Sequence, residues 1–171
     1  MSDAEAFREQ VAYVLERSAF YRDKLAGHDT ESGDLAAIAT LPLTTKQELR
    51  ETVTRENPFG AHLCAEPREI ARIYSTSGTT GDPSYIPLTA SDLENWIETS
   101  ARSYAASGVQ PGERIVTTYN AGPFAAGAAL AAFERIGLTH VPIGTGNTER
   151  LVRAIELLRP DAVVMTPSYA A

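Results

Sequence analysis

The sequence predicts an α/β protein. An N-terminal helical segment, residues 1–68, precedes alternating strands and helices over residues 69–171 that form a mostly parallel sheet, one incomplete domain overall. Three observations carry this expectation. Apolar residues before about Pro67 recur at helical spacing. After it, runs rich in β-branched residues alternate with helix-patterned stretches. From Arg114 onward the order is strand, helix, strand, helix, strand, which belongs to parallel strands joined by right-handed crossovers.

Along the chain, Ser2 and Glu5 make a capping box, and Phe7, Val11, Val14 and Leu15 share one face of the helix it opens. Residues 18–25 add a further helical turn or two, and 27–33 form a polar loop. Thr45 with Glu48 caps a short helix through Lys46, Leu49 and Arg50, and the Asn57-Pro58-Phe59-Gly60 turn follows it. Residues 69–74 read as a strand, 75–81 as a Ser/Thr/Gly loop, and 84–88 as a second strand, which Pro87 confines to an edge. Ser91 and Glu94 make a third capping box, opening a helix with the stripe Leu93, Trp96, Ile97, Ala101 and Tyr104. Strands are expected at 114–119, 140–143 and 161–165, with helices at 122–136 and 148–158 between them. Ala171 follows the last strand with no helix to cover it, so a fragment or a shortened reading frame is the expectation.

A length of 171 residues suits one domain. The net charge of −7 argues against a nucleic-acid module and against a polybasic membrane-surface protein. The single cysteine, Cys64, excludes an internal disulfide. His62 and Cys64 are the one close pair of metal-type residues, too few for a zinc site, so no metal is assigned. Without an apolar run of membrane-spanning length or a signal-like N-terminus, a cytoplasmic location is expected.

The strongest motif is Ser75-Thr76-Ser77-Gly78-Thr79-Thr80-Gly81, placed between two strands. Its glycines allow close backbone approach, and its amides and hydroxyls can cradle phosphate oxygens. It is not a Walker A loop, because Pro83 stands where the second glycine belongs. A flexible hairpin loop is the rival reading of the same residues. Gly144-Thr145-Gly146-Asn147-Thr148-Glu149 follows a strand and opens a helix, but Glu149 replaces the third glycine of a dinucleotide fingerprint and suits the helix dipole instead. Each of the three histidines stands alone, no catalytic residue is assigned, and Gly-x-Ser-x-Gly is absent. Tyr119 ends a strand, where ligands of open parallel sheets bind, or it is a core-rim aromatic.

The residues 76–81 resemble the phosphate loop of the adenylate-forming enzymes. The stretches 41–50, Asn57 to Gly60, 142–150 (PIGTGNTER) and Thr166-Pro167-Ser168-Tyr169 are similar, in order, to segments of the phenylacetate–CoA ligase family. The resemblance implies the front part of a large N-terminal domain. It implies ATP, Mg2+ and coenzyme A as co-substrates and a carboxylic acid, such as an aryl acid, as substrate. It places the β- and γ-phosphates on Ser75, Thr76, Ser77, Gly78, Thr79, Thr80 and Gly81, and the acyl group near Tyr119, Asn120, Ala121 and Gly122. Asp82 stands where the family usually has lysine. Like charges ~4 Å apart repel by about 4 kcal/mol at an effective dielectric near 20, so weakened phosphate binding is expected. The family's adenine, ribose and C-terminal lysine motifs lie downstream in longer chains, so this segment alone is expected to be inactive and to need a second chain or the C-terminal part. Two readings of other classes remain: a non-catalytic assembly module using the open sheet edge, and a simple nucleotide- or phosphate-binding protein.

Overall fold

The computed structural model describes residues 2–76, 83–119 and 126–170. Its contacts divide the chain into two compact units, Met1–Ile70 and Ala71–Ala171.

In the first unit, α1 (Asp3–Arg17) begins at the expected capping box: Ser2 N–H donates to Glu5 Oε2 at 2.7 Å and Glu5 N–H to Ser2 Oγ at 3.3 Å. Val11 is buried, with Phe7, Val14 and Leu15 half-buried beside it. Ser18 ends α1 and caps α2 (Ala19–Lys24): its N–H donates to the Val14 carbonyl, its Oγ accepts from Tyr21 N–H, and its hydroxyl donates to the Ala61 carbonyl at 2.8 Å. A hydroxyl so placed fits a residue only 1% exposed. A short α3 (Leu35–Ile38) lies where no element was expected.

The helix α4 (Lys46–Glu51) starts at the Thr45–Glu48 capping box. The Glu48 carboxylate also meets the Lys24 ammonium, which with the Thr45 N–H holds its pKa down to about 2. Beyond α4 the 57–60 turn closes with Gly60 N–H on the Asn57 carbonyl. Thr52 Oγ1 accepts from Ala61 N–H at 3.1 Å and lies 3.3 Å from His62 Nδ1. A 3-10 turn, Pro67–Glu69, ends the unit.

β1 (Ile70–Ser75), which begins at the last residue of the first unit, and β2 (Tyr85–Thr89) pair as a separate two-stranded sheet. The third capping box differs from expectation: α5 (Ala90–Ala106) is capped by Thr89 and Asp92, not Ser91 and Glu94. Asp92 Oδ2 accepts from Thr89 N–H at 2.9 Å, so the shorter carboxylate reaches back and the helix starts earlier. Glu94 is thereby free to pair, with Glu98, to Arg135 of α6 (Ala126–Ile136).

The strands β3 (Arg114–Thr117), β4 (Thr139–Pro142) and β5 (Ala162–Val164) form a parallel sheet in the order β4-β3-β5. β3 and β5 are shorter than expected and β4 is shifted one residue toward the N-terminus at equal length, because pairing stops at Thr117↔Pro142 and Thr117↔Val164. The helix α7 (Thr148–Leu158) links β4 to β5. β3 to β4 moves one way across the sheet and β4 to β5 moves back, so right-handed crossovers put α6 and α7 on opposite faces. Ile115, Leu130, Phe133 and Leu138 form a buried cluster, with Tyr104, Ala162 and Val164 packed against it. A short α8 (Pro167–Ala170) follows β5, correcting the expectation that nothing helical does; proline suits its first position, and Tyr169 N–H donates to the Thr166 carbonyl.

Gly60 has φ +79°, and a Cβ there would lie 2.5 Å from Thr52 Oγ1 and 2.7 Å from the His62 ring. Gly60→Ala is therefore expected to destabilise the first unit by about 1–3 kcal/mol, measured as a lower urea midpoint at unchanged slope.

Candidate functional site

Two places in the second unit carry chemistry-bearing residues. The first is the stem of the phosphate-loop motif. β1 delivers Ser75 and Thr76, and Ser84 receives the chain on its return. Thr76 N–H donates to the Ser84 carbonyl at 2.9 Å, and Ser84 N–H donates to Thr76 Oγ1 at 3.1 Å. One threonine thus uses backbone and hydroxyl together to join Ser84. Ser77, Gly78, Thr79, Thr80, Gly81 and Asp82 lie outside the described residues. Below the stem, the buried Tyr74 packs edge-on against Trp96 of α5 at 6.1 Å, and Arg72 donates to its hydroxyl.

The second place is the carboxyl edge of the parallel sheet. Parallel pairing brings the ends of β3, β4 and β5 to one side, where open α/β sheets bind ligands. Thr118 N–H donates to the Val164 carbonyl at 3.1 Å, and Ile143 N–H to the Thr117 carbonyl at 2.9 Å. Tyr119 is half-buried just beyond β3. Its phenol is near enough to Tyr104 to add to the rise in that group's pKa, which burial causes first. Asn120, Ala121 and Gly122 lie outside the described residues. After β4, Gly144 and Gly146 take φ of 82° and 76°, and Asn147 caps α7 by accepting from Arg150 N–H at 3.0 Å.

Sequence reasoning treated His140 as isolated. Its Nε2 lies 2.9 Å from Thr117 Oγ1, and its ring is 5.1 Å from that of Phe133. Thr117 and Phe133 are both 0% exposed. In parallel register His140 is the partner of Ile115, so Thr117 is two residues along the same face. That diagonal is a signal of strand register, legible only once the pairing is known. Burial lowers the His140 pKa, and the Glu134 carboxylate works against it.

Among the described residues no group of three or more His, Cys, Asp or Glu gathers to hold a metal, and no described helix is long and apolar enough to cross a membrane.

No family model matches the chain. It is 42% identical over 171 residues to a phenylacetate-coenzyme A ligase of Thermus thermophilus, covering 97% of this chain and 37% of that protein. It is 36% identical over 161 residues to the phenylacetate-coenzyme A ligase of Escherichia coli, covering 92% and 36%. The chain is a homologue of the phenylacetate–CoA ligases over one stretch of their length. It spans about 37% of the curated relatives that it matches. Among solved structures, 2-hydroxyisobutyryl-CoA ligase in complex with 2-HIB-AMP and CoA superposes with a TM-score of 0.88 at 30% identity, covering 98% of this chain and 37% of that one. The α/β architecture is thus that of the N-terminal part of adenylate-forming ligases.

Both parts of this ligase-like segment yield tests. Thr76→Val removes the acceptor of the Ser84 N–H, and exchange of that amide is expected to rise roughly 2–10-fold, read by hydrogen–deuterium exchange. For His140, whose pKa is lowered on folding from 6.5, the unfolded chain binds the proton more readily. The resulting stability is complete above about pH 6.5 and declines as pH falls through the depressed folded pKa. Urea midpoints of the second unit measured down to pH 5 should fall with pH, and His140→Gln should flatten that slope.

Proposed function

We propose that this chain is the N-terminal portion of an ATP-dependent carboxylate–CoA ligase, with an aryl acid such as phenylacetate as substrate. The observation that supports it is the 42% identity to the Thermus thermophilus relative across 97% of the chain. On this reading Ser75, Thr76, Ser77, Gly78, Thr79, Thr80 and Gly81 hold the β- and γ-phosphates through amides and hydroxyls. Tyr119, Asn120, Ala121 and Gly122 form one wall of the acyl pocket, beyond the carboxyl end of β3.

The reaction has two displacements. A carboxylate oxygen of the acid bonds to the α-phosphorus of ATP, and pyrophosphate leaves with the electrons of the broken P–O bond. The thiol sulfur of coenzyme A then bonds to the acyl carbon, its proton passes to solvent or a base, and AMP leaves. Mg2+ enters on the nucleotide and neutralises phosphate charge. The segment supplies positioning for the first displacement; groups beyond it complete the site, so the isolated chain is inactive.

Asp82 favours a second reading, in which the segment is a non-catalytic assembly module, because an anion beside the loop opposes polyphosphate.

Fusing the chain to the downstream portion of the Thermus thermophilus relative tests both. With ATP, Mg2+ and a panel of aryl acids, the fusion should release pyrophosphate in an acid-dependent way, and the isolated chain should release none. Gly78→Val should raise the KM for ATP at least tenfold by blocking phosphate approach. A cooperatively folded fusion that stays silent with every acid would overturn the ligase reading.

A further inference from the structure

Two stretches that resemble ligase segments, 142–150 and 166–169, have no role in the reading above. The structure brings them together. The hydroxyls of Thr148, the first residue of α7, and Tyr169, in α8, lie 2.7 Å apart although the residues are 21 positions apart in sequence.

The bond completes a circuit. The loop after β4 is fastened to β3 at its base by Ile143 N–H on the Thr117 carbonyl. The end of β5 is fastened to β3 by Thr118 N–H on the Val164 carbonyl. Tyr169 N–H on the Thr166 carbonyl folds the segment after β5 into a turn. Thr148 with Tyr169 then joins the two loops at their far ends. The loop after β4 carries glycines at φ 82° and 76°, so its own backbone is pliant. An outside fastening is what gives such a loop one shape.

We infer that the Thr148–Tyr169 hydroxyl pair is a positioning tie, which holds the loops after β4 and β5 at fixed spacing around the carboxyl end of β3, where the acyl group of the substrate lies. The inference rests on the ligase reading for the substrate and on geometry alone for the tie. Both residues act through the loops, and neither is assigned contact with the reacting atoms. Tyr169 contributes a hydroxyl on a rigid ring, and Thr148 a hydroxyl on the first residue of α7, a group that serine also carries.

Hydrogen–deuterium exchange on this chain tests the tie without any activity. In Tyr169→Phe and in Thr148→Val, amides of residues 143–147 should exchange roughly 2–10-fold faster, the range for one lost hydrogen bond. The double variant should exchange no faster than the faster single variant, and Thr148→Ser should restore the wild-type rate. Unchanged rates, or effects that add, would overturn the tie. In the fusion described above, Tyr169→Phe should raise the KM for the acid about fivefold with kcat and melting temperature little changed. An unchanged KM in an active fusion whose loop exchange does respond would reduce the pair to a structural contact and overturn the positioning role. If the fusion is silent in wild type while exchange responds, the tie stands and the ligase reading fails.

Discussion

Everything in the second unit is referred to β3. It is the central strand of the parallel sheet, and it supplies hydrogen-bonding groups to β4 on one side and β5 on the other. A strand bonded on both edges and covered on both faces has no route to water, so its residues must be apolar or internally satisfied. Ile115 and Val116 meet the first condition at 1% and 0% exposure. Thr117 meets the second, its hydroxyl being taken by His140. The polar pair sits at the carboxyl end of the strand, where the chain leaves the core. A valine at 117 would fill the same space and leave the imidazole nitrogen unpaired in a half-buried site.

The sheet's far side shows the same economy. Arg114, at the amino end of β3, gives its N–H to the Asp161 carboxylate at 2.8 Å and its guanidinium to the Leu158 carbonyl at 2.9 Å. One residue therefore closes the end of α7 and the approach to β5. The carboxyl end is held by backbone bonds and hydroxyls instead: Thr118 N–H on the Val164 carbonyl, Thr117 with His140, and Thr148 with Tyr169.

The parts legible in the sequence were those governed by neighbours a few residues apart. The caps at Ser2–Glu5 and Thr45–Glu48 are local reciprocal bonds, legible in the sequence and present in the structure. The cap of α5 is ambiguous in the sequence because Thr89–Asp92 and Ser91–Glu94 have similar capping chemistry; in the structure Asp92 caps, and Glu94 pairs with Arg135, 41 residues away. The strand–helix alternation announced parallel pairing, yet not that β1 and β2 stand apart as a second sheet. At the candidate site the local motif around Ser75 was visible, whereas the Thr117–His140 and Thr148–Tyr169 pairs were not. Each depends on which strand lies beside which, a property of register and crossover that no single stretch contains.

This division of labour bears on the proposed chemistry. The stem of the Ser/Thr/Gly loop is built on the two-stranded sheet, where Thr76 and Ser84 join its two sides among the described residues. The proposed acyl wall is built on the parallel sheet and shaped by fastenings to β3. On the ligase reading, each element holds one reactant, and in-line attack of a carboxylate on the α-phosphorus needs both at a fixed separation. A change within one sheet should then alter the affinity for the reactant it holds, whereas a change in how α5 joins them should alter turnover. The helix α5 follows β2 directly and carries Trp96, which packs on Tyr74 of β1, as well as Tyr104, which packs on Phe133 of α6 at 4.7 Å. One helix thus packs on β1 through Trp96 and, through Tyr104, on the cluster that holds Ile115 of β3, so its placement couples the two sheets.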